Sequence, residues 1–389
     1  MRILFWAGNF WPRIGGTAIF AAKILPALRS RGHDLMVIAP QSSADLPEED
    51  KFHGIPVHRF PFWQPRTFRN VEELMDTLRF VSQLKKAWCP DIVHISGLDI
   101  GNFFHLETAR LYPAPTLVTL HDSQLQDDQI NLLPGSDTLM SKVLNAADWV
   151  SCVSKDLLDH LHSLMPDLKH KSNTLYSGLS QPHLIPSALP TNPPNLLCCG
   201  RLVHRKGFDI ALNMFASLSK RHPYLHLTIA GDGPELPSLK RYVESMGIKN
   251  RVTFLGWITP EQVGSVINGA TVVLMPSRRE PFGLVALEAA LMARPIVATR
   301  VGGLPEIVVH QQTGLLVENE DIQGFEGATD FLLTHLDVAS AMGQAACRRA
   351  QDQFNLTQCV EGYEGLYQKL ITQFHMKKRP GLEKSLTPP

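Results

Sequence analysis

Short apolar runs alternate along the chain with longer segments whose apolar positions recur at helical spacing. Residues 2–6 read as a buried strand. Ile19, Phe20, Ile24, Leu25 and Leu28 then mark one face of a helix over 17–29, Gly32 stops it, and 35–39 is the next strand. Further strands are predicted at 92–95, 116–120 and 149–153, with helices near 71–87, 136–147 and 155–164. Strand–helix alternation of this kind implies parallel strands joined by right-handed crossovers.

The rhythm breaks where Pro182, Pro186, Pro190, Pro193 and Pro194 crowd into 181–194, a density that excludes helix and central strand. It restarts with strands at 195–199, 225–230, 251–255, 271–275 and 295–298, and helices at 207–220, 235–246, 260–268 and 283–292. Helices over 321–335, 337–351 and 357–374 follow. The expected fold class is α/β, with two doubly wound Rossmann-like domains facing one another. Residues 1–180 form the first domain and 181–194 the linker. Residues 195–356 form the second, and 357–374 a helix that crosses back to the first. The tail 375–389 is expected to be disordered. Ligands of such domains bind at the carboxyl ends of the strands, here in the expected cleft between the two.

Composition narrows the function classes. The 389 residues are 44% hydrophobic and 19% charged, enough for two cores. Lys and Arg number 37 against 37 Asp and Glu, and this balance argues against a nucleic-acid partner. The six cysteines show no metal or Cys-x-x-Cys spacing, and four lie in apolar or helical patterns as buried free thiols. Nothing at the N-terminus reads as a signal peptide, and no apolar run nears the ~20 residues that span a bilayer. A soluble, cytoplasmic protein is expected.

The strongest chemical signal is Pro276-Ser277-Arg278-Arg279-Glu280-Pro281-Phe282-Gly283-Leu284-Val285-Ala286-Leu287-Glu288, where a strand passes through a loop into a helix. Pro281 suits a first helical position near Phe282, and Gly283 keeps the backbone bare there. The free amides of Leu284 and Val285 then face an anion at the helix start. Glu280 stands just before this cradle, and Glu288 about two turns beyond it. A nucleoside diphosphate sugar has the matching layout of hydroxyls, diphosphate and ribose, and carboxylates accept from hydroxyl pairs. The plainer alternative is a dipole-complementing acid plus one solvated Glu. In Gly200-Arg201-Leu202-Val203-His204-Arg205-Lys206-Gly207, Arg201 and Lys206 follow a strand's carboxyl end and can neutralise a departing diphosphate, a task otherwise given to a metal. Arg205 reads as solvated.

With these motifs the chain resembles the retaining glycosyltransferases of family four, which have the GT-B fold of two facing Rossmann-like domains. The match runs from the Phe5 strand to about residue 320. Its most specific part is the Glu-x7-Glu spacing of Glu280 and Glu288, and it continues in Val301-Gly302-Gly303-Leu304-Pro305-Glu306 and Thr313-Gly314-Leu315-Leu316-Val317. The resemblance implies that Arg201 and Lys206 bind donor phosphates, Glu280 contacts the transferred sugar and Glu288 holds the ribose. It also implies that the backbone of Gly256-Trp257-Ile258 reads the nucleobase. Pro12-Arg13-Ile14-Gly15-Gly16-Thr17 matches the family's N-terminal pattern, with Gly15 and Gly16 closing over the diphosphate. His121, before Asp122, is implied to face the sugar near the reacting centre, the alternative being a strand cap. For His33 and His94 a structural role is favoured.

Two departures stand out: Ser177 where relatives often carry Asn, and Ala293 where they usually carry Gly. The stretch His58–Arg69 interleaves aromatics with arginines. It reads as a packed, proline-bounded loop, against the alternatives of stacking on an acceptor or peripheral contact with a membrane. The implied activity is retaining transfer of a hexose from a nucleotide sugar to a hydroxyl acceptor that is a sugar, lipid-linked or a small molecule. It needs no metal and no other cofactor. A sugar-nucleotide epimerase of the same fold and a non-catalytic sugar-nucleotide binder are the rival readings.

Overall fold

The computed structural model describes residues 1–13, 15–43, 45–61, 71–121, 138–182 and 184–377. It divides into two compact units, one of Met1–Tyr176 with the chain from Leu356 onward, the other of Ser177–Asn355. Unit one runs β1 (Arg2–Ala7), α1 (Gly16–Ser30), β2 (Asp34–Pro40), β3 (Glu49–Phe52), β4 (Ile55–Phe60), α2 (Val71–Trp88) and β5 (Ile92–Ser96). It continues through α3 (Asn102–Ala109), β6 (Thr116–Leu120), α4 (Leu139–Ala146), β7 (Trp149–Cys152), α5 (Lys155–Leu164) and β8 (Ser172–Thr174). The chain's last described helix, α13 (Leu356–Lys377), belongs to the same unit. Its sheet has the order β3-β4-β2-β1-β5-β6-β7-β8, parallel except for β3 against β4.

Both faces of this sheet are covered, so its central strands are apolar throughout rather than alternating. On one face Ile3, Phe5 and Ala7 of β1 share a core with Phe20, Ile24 and Leu28 of α1 and with Val360, Tyr363, Tyr367 and Leu370 of α13. On the other face Trp6 meets His105 of α3, with ring centroids 5.8 Å apart. Several expectations need correction. His58, Arg59 and Phe60 are strand residues of β4, not loop, and Arg59 is buried, donating to Asp50 at 2.9 Å and to the Trp11 carbonyl at 3.2 Å. His375, Met376 and Lys377 are the last turn of α13, not tail. Ile14, residues 62–69 of the aromatic stretch, Asp122, the start of the 136–147 helix at 136–137 and the tail from 378 lie outside the described residues.

A buried lysine gives unit one a pH dependence. Lys85 of α2 donates to Thr108 Oγ1 at 2.7 Å and to the His105 carbonyl at 3.3 Å, its Nζ also lying 3.2 Å from His105 Nδ1. Burial pulls its ammonium down to about 7, whereas in the unfolded chain it titrates near ~10.4. Between these values the unfolded state binds the extra proton, so stability rises with pH above about 7. The melting temperature of the wild type is therefore expected to climb from near-neutral to mildly alkaline pH more than that of Lys85→Met. Parallel climbs in the two proteins would assign the proton elsewhere.

Unit two comprises β9 (Asn195–Cys199), α6 (Phe208–Leu218), β10 (His226–Ala230), α7 (Leu236–Ser245), β11 (Val252–Gly256), α8 (Pro260–Asn268) and β12 (Val272–Met275). After these come α9 (Leu284–Leu291), β13 (Ile296–Thr299), α10 (Leu304–Ile307), β14 (Leu315–Val317), α11 (Ile322–Thr334) and α12 (Leu336–Gln353). The all-parallel sheet has the order β11-β10-β9-β12-β13-β14. Strand succession therefore reverses direction between β9 and β12, the kind of switch point at which open α/β sheets take ligands. The described part of the proline-dense stretch is pinned to this unit. Ser187 N donates to Asn268 Oδ1 at 3.0 Å, and the buried Arg294 donates to the Ser187 carbonyl at 2.9 Å.

Ala293, just past α9, sits at φ 52°. An L-residue in the left-handed region costs roughly 1 kcal/mol that glycine does not. Ala293→Gly is expected to raise the unfolding free energy by about that much, seen as a higher urea midpoint at unchanged slope.

Candidate functional site

Two loops leave the strands that flank the switch point of unit two, 200–207 after β9 and 276–283 after β12. They are stitched together. Arg278 N and Arg279 N both donate to the Arg205 carbonyl, at 2.8 and 3.2 Å. Gly207 lies at φ 67°, and a Cβ there would stand 1.9 Å from the Pro276 oxygen, so only glycine lets the loops approach. Across the seam Lys206 Nζ donates to Glu280 Oε2, and Ser277 Oγ donates to the same oxygen at 3.3 Å. Glu280 is buried, at 7% exposure, which makes a paired cation necessary for its charge.

The turn after β13 braces this loop from behind. Gly303 N donates to the Glu280 carbonyl at 2.9 Å, and Cβ atoms at Gly302 and Gly303 would lie 1.9 Å from that oxygen and 2.7 Å from Phe282 Cα. That is the physical content of the Val301-Gly302-Gly303 motif. Helix α9 starts at Leu284 with Gly283 as N-cap at φ 108°, not near Phe282, so Pro281 is not its first residue. Leu284 and Val285 open the helix, and their amides are among the four that no helical carbonyl satisfies. Phe282 offers only its backbone, since its ring is buried beside Phe354 at 6.1 Å. Glu288 stands four residues into α9, one turn along it rather than two. Burial first, and then Glu288, push the Cys199 thiol up to about 12, while Lys206 pulls the other way. Glu288 and Lys206 thus both lie within electrostatic reach of the Cys199 thiol at the end of β9, and Lys206 in turn holds Glu280.

Arg201 is an exposed residue of the β9 loop, whose shape depends on the end of β10. Leu202 N donates to the Asp232 carbonyl at 2.9 Å, and Cβ atoms at Gly231 and Gly233 would meet the Gly200 and Leu202 oxygens at 1.9 and 2.4 Å. The sequence reading missed Gly231-Asp232-Gly233, although a strand running into paired glycines was the signal. Trp257, 51% exposed, and Ile258 follow β11, two strands out from β9 at the sheet edge.

In unit one, Gly15 is the N-cap of α1 and Gly16 its first residue. A Cβ on Gly16 would meet nothing within 4 Å, so local packing does not require glycine there. His121 follows β6, with Nε2 3.0 Å from Ser96 Oγ and its ring 4.6 Å from that of Phe20. His33 and His94 are structural. His33 Nε2 meets Glu364 at 2.6 Å, and His94 bridges Tyr367 OH at 2.6 Å and Thr119 Oγ1 at 2.8 Å. Burial, with His121 adding to it, holds the His94 imidazole well below its usual pKa. Of the cysteines, Cys152, Cys198 and Cys359 are buried, Cys199 and Cys347 half-buried and Cys89 exposed; all six are free, and the four buried thiols expected come to three. Ser177 is a buried residue at the start of unit two. No helix among the described residues is long and apolar enough to cross a membrane.

Two α/β units on largely parallel sheets, one with an acid–lysine pair at its switch point, have the architecture in which open sheets take ligands at the strand ends. The description "Glycosyl transferases group 1" matches residues 183–349, and "Glycosyltransferase Family 4" matches residues 14–180. Glycogen synthase of Mycobacterium tuberculosis is 26% identical over 385 residues, covering 91% of each chain. Among solved structures, sucrose-phosphate synthase from Thermosynechococcus elongatus superposes with a TM-score of 0.80 at 22% identity, covering 96% of this chain and 99% of the other. Anabaena HepE in complex with UDP and glucose gives 0.77 at 20% identity, over 95% and 100%. The chain belongs to the group 1, family four glycosyltransferases, with their GT-B fold of two Rossmann-like units. It is an enzyme, a glycosyltransferase of the hexosyltransferase type.

Proposed function

We propose that the chain is a retaining, metal-independent transferase that takes a hexose from a nucleoside diphosphate sugar to a hydroxyl acceptor in the cytoplasm. The observation that carries this is the Lys206–Glu280 pair set beside the glycine-capped start of α9. A cation, helix-start amides and a buried acid side by side support this reading, because a diphosphate and its sugar call for such groups. The Anabaena relative holding UDP and glucose makes UDP-sugars the first donors to test.

In the proposed reaction the donor's C1–O bond breaks through an oxocarbenium-like state. Arg201, Lys206 and the amides of Leu284 and Val285 take up the charge growing on the diphosphate oxygen. That oxygen accepts the proton of the acceptor hydroxyl, while the acceptor oxygen bonds to C1 on the face just vacated. No carboxylate nucleophile is needed, unlike the paired acids of a retaining glycosidase. Glu280 binds sugar hydroxyls, Glu288 the ribose, and the backbone at Trp257 and Ile258 the base. In unit one, Gly15 and Gly16 offer bare backbone to the diphosphate and His121 serves the transferred sugar. Arg201 and Lys206, in the loop at the carboxyl end of β9, supply the positive charge that a metal ion would otherwise bring to the diphosphate.

A thermal-shift screen with UDP, GDP, ADP and their sugars selects the donor, since a ligand of the native state raises its melting temperature. With that donor, transfer is expected to survive EDTA and to yield a product with the donor's anomeric configuration, read by NMR. An inverted product would overturn the proposed chemistry, and loss of activity in EDTA restored by a divalent ion would overturn metal independence.

A further inference from the structure

Arg278 lies two residues before Glu280 and, by charge alone, looks like a third phosphate cation. Its geometry assigns it differently. Nη1 and Nη2 donate to the two oxygens of Asp209 at 2.7 Å each, Nε donates to Glu320 at 2.6 Å, and Nη1 also reaches the His204 carbonyl at 3.0 Å. Asp209 belongs to the first turn of α6, Glu320 follows β14, and His204 lies in the loop that carries Lys206. One planar guanidinium therefore ties together three segments around the seam between the 200–207 and 276–283 loops. Only arginine has the fork for this, because the lysine ammonium is a point charge. Glu320 is held at φ 64°, a left-handed conformation unfavourable for an L-residue, which its bond to Arg278 helps to offset.

We propose that Arg278, clamped by Asp209 and Glu320, is a positioning residue that sets Lys206 against Glu280 and so shapes the donor grip without touching the donor. The inference rests on the reading of Lys206 and Glu280 as donor-binding groups. Asp209 and Glu320 are 36% and 55% exposed, so water can solvate them when Arg278 is removed, and the fold is expected to survive.

The test uses the full chain and whichever of UDP-glucose, GDP-mannose and ADP-glucose the thermal-shift screen selects, with release of the nucleoside diphosphate as readout. Arg278→Lys, Arg278→Met and Asp209→Asn are each expected to lower kcat/KM for the donor by about 10–100-fold, with folding intact by circular dichroism. In a Glu280→Gln background the further loss from Arg278→Met should stay under about threefold, because both changes break one arrangement. Wild-type rates from Arg278→Lys would overturn the proposal, since charge without the fork would then suffice. Losses that multiply in the double variant would overturn it too, as they would place Arg278 outside the Lys206–Glu280 unit. A wild type that turns over none of the three donors, or is indifferent to Glu280→Gln, would overturn this proposal together with the assignment beneath it. A failure confined to the Arg278 variants leaves that assignment standing.

Discussion

A chain ending at Asn355 is expected not to fold. Although α13 is the last described helix, it supplies Cys359, Val360, Tyr363, Leu366, Tyr367 and Leu370 to the core of unit one, every one of them buried. Burying a large apolar side chain stabilises by about 1.5–3 kcal/mol. Losing all six at once removes stabilisation as large as the roughly 5–15 kcal/mol that holds a domain folded. Polar bonds are lost with them: Tyr367 OH lies 2.6 Å from His94 Nδ1, Tyr363 OH accepts from Thr119 at 3.3 Å, and Glu364 is bound by Arg31 and His33 at 2.8 and 2.6 Å. The truncated chain should be recovered as aggregate, or lack the near-ultraviolet circular dichroism of packed aromatics. A soluble, cooperatively melting product would refute this. Tyr367→Phe probes the same helix mildly: it leaves His94 Nδ1 buried without its partner, a cost of about 1–3 kcal/mol in denaturant titration.

The contrast between α13 and its neighbours shows where sequence reading succeeds and where it stops. Strands such as β1 and β12 are buried on both faces, so their composition alone identifies them, and strand–helix succession then dictates parallel sheets. The helical pattern over 357–374 says that a helix forms there, but periodicity carries no address, and only packing shows that its apolar stripe completes unit one. Strand β3, Glu49-Asp50-Lys51-Phe52, is an edge strand made mostly of charged residues, a composition that protects an edge and also hides it. At the site, the strand-end placement of Arg201 and Lys206 and the spacing of Glu280 and Glu288 are legible because both are sequence properties. The α9 start was misplaced because Pro281 imitates a first helical residue, whereas the cap belongs to Gly283 in a left-handed conformation. The roles of Ser277, Asp209 and Glu320 depend on side chains far apart in sequence meeting in space, and no local pattern announces them.

Lys206→Ala should produce the largest loss of any single change at the site. The wild-type amine neutralises a buried Glu280 and, in the proposed reaction, the diphosphate leaving group. Its removal strips a preorganised donor from the point where charge grows, a loss on the order of 10²–10³ in kcat. It also leaves the buried Glu280 without the cation that holds it in place, which weakens its grip on sugar hydroxyls. Glu288→Ala should behave differently. Its carboxylate is assigned to the ribose, which changes little between ground and transition states, so the variant should raise donor KM about tenfold with kcat nearly unchanged. Arg201→Ala should resemble Lys206→Ala in kind but be weaker, because Arg201 is exposed and its charge is already screened by water. Steady-state kinetics on the donor chosen by thermal shift separate the three. If Lys206→Ala changed only KM, or Glu288→Ala only kcat, the leaving-group and ribose assignments would have to be exchanged, because a residue that acts on developing charge must show itself in turnover.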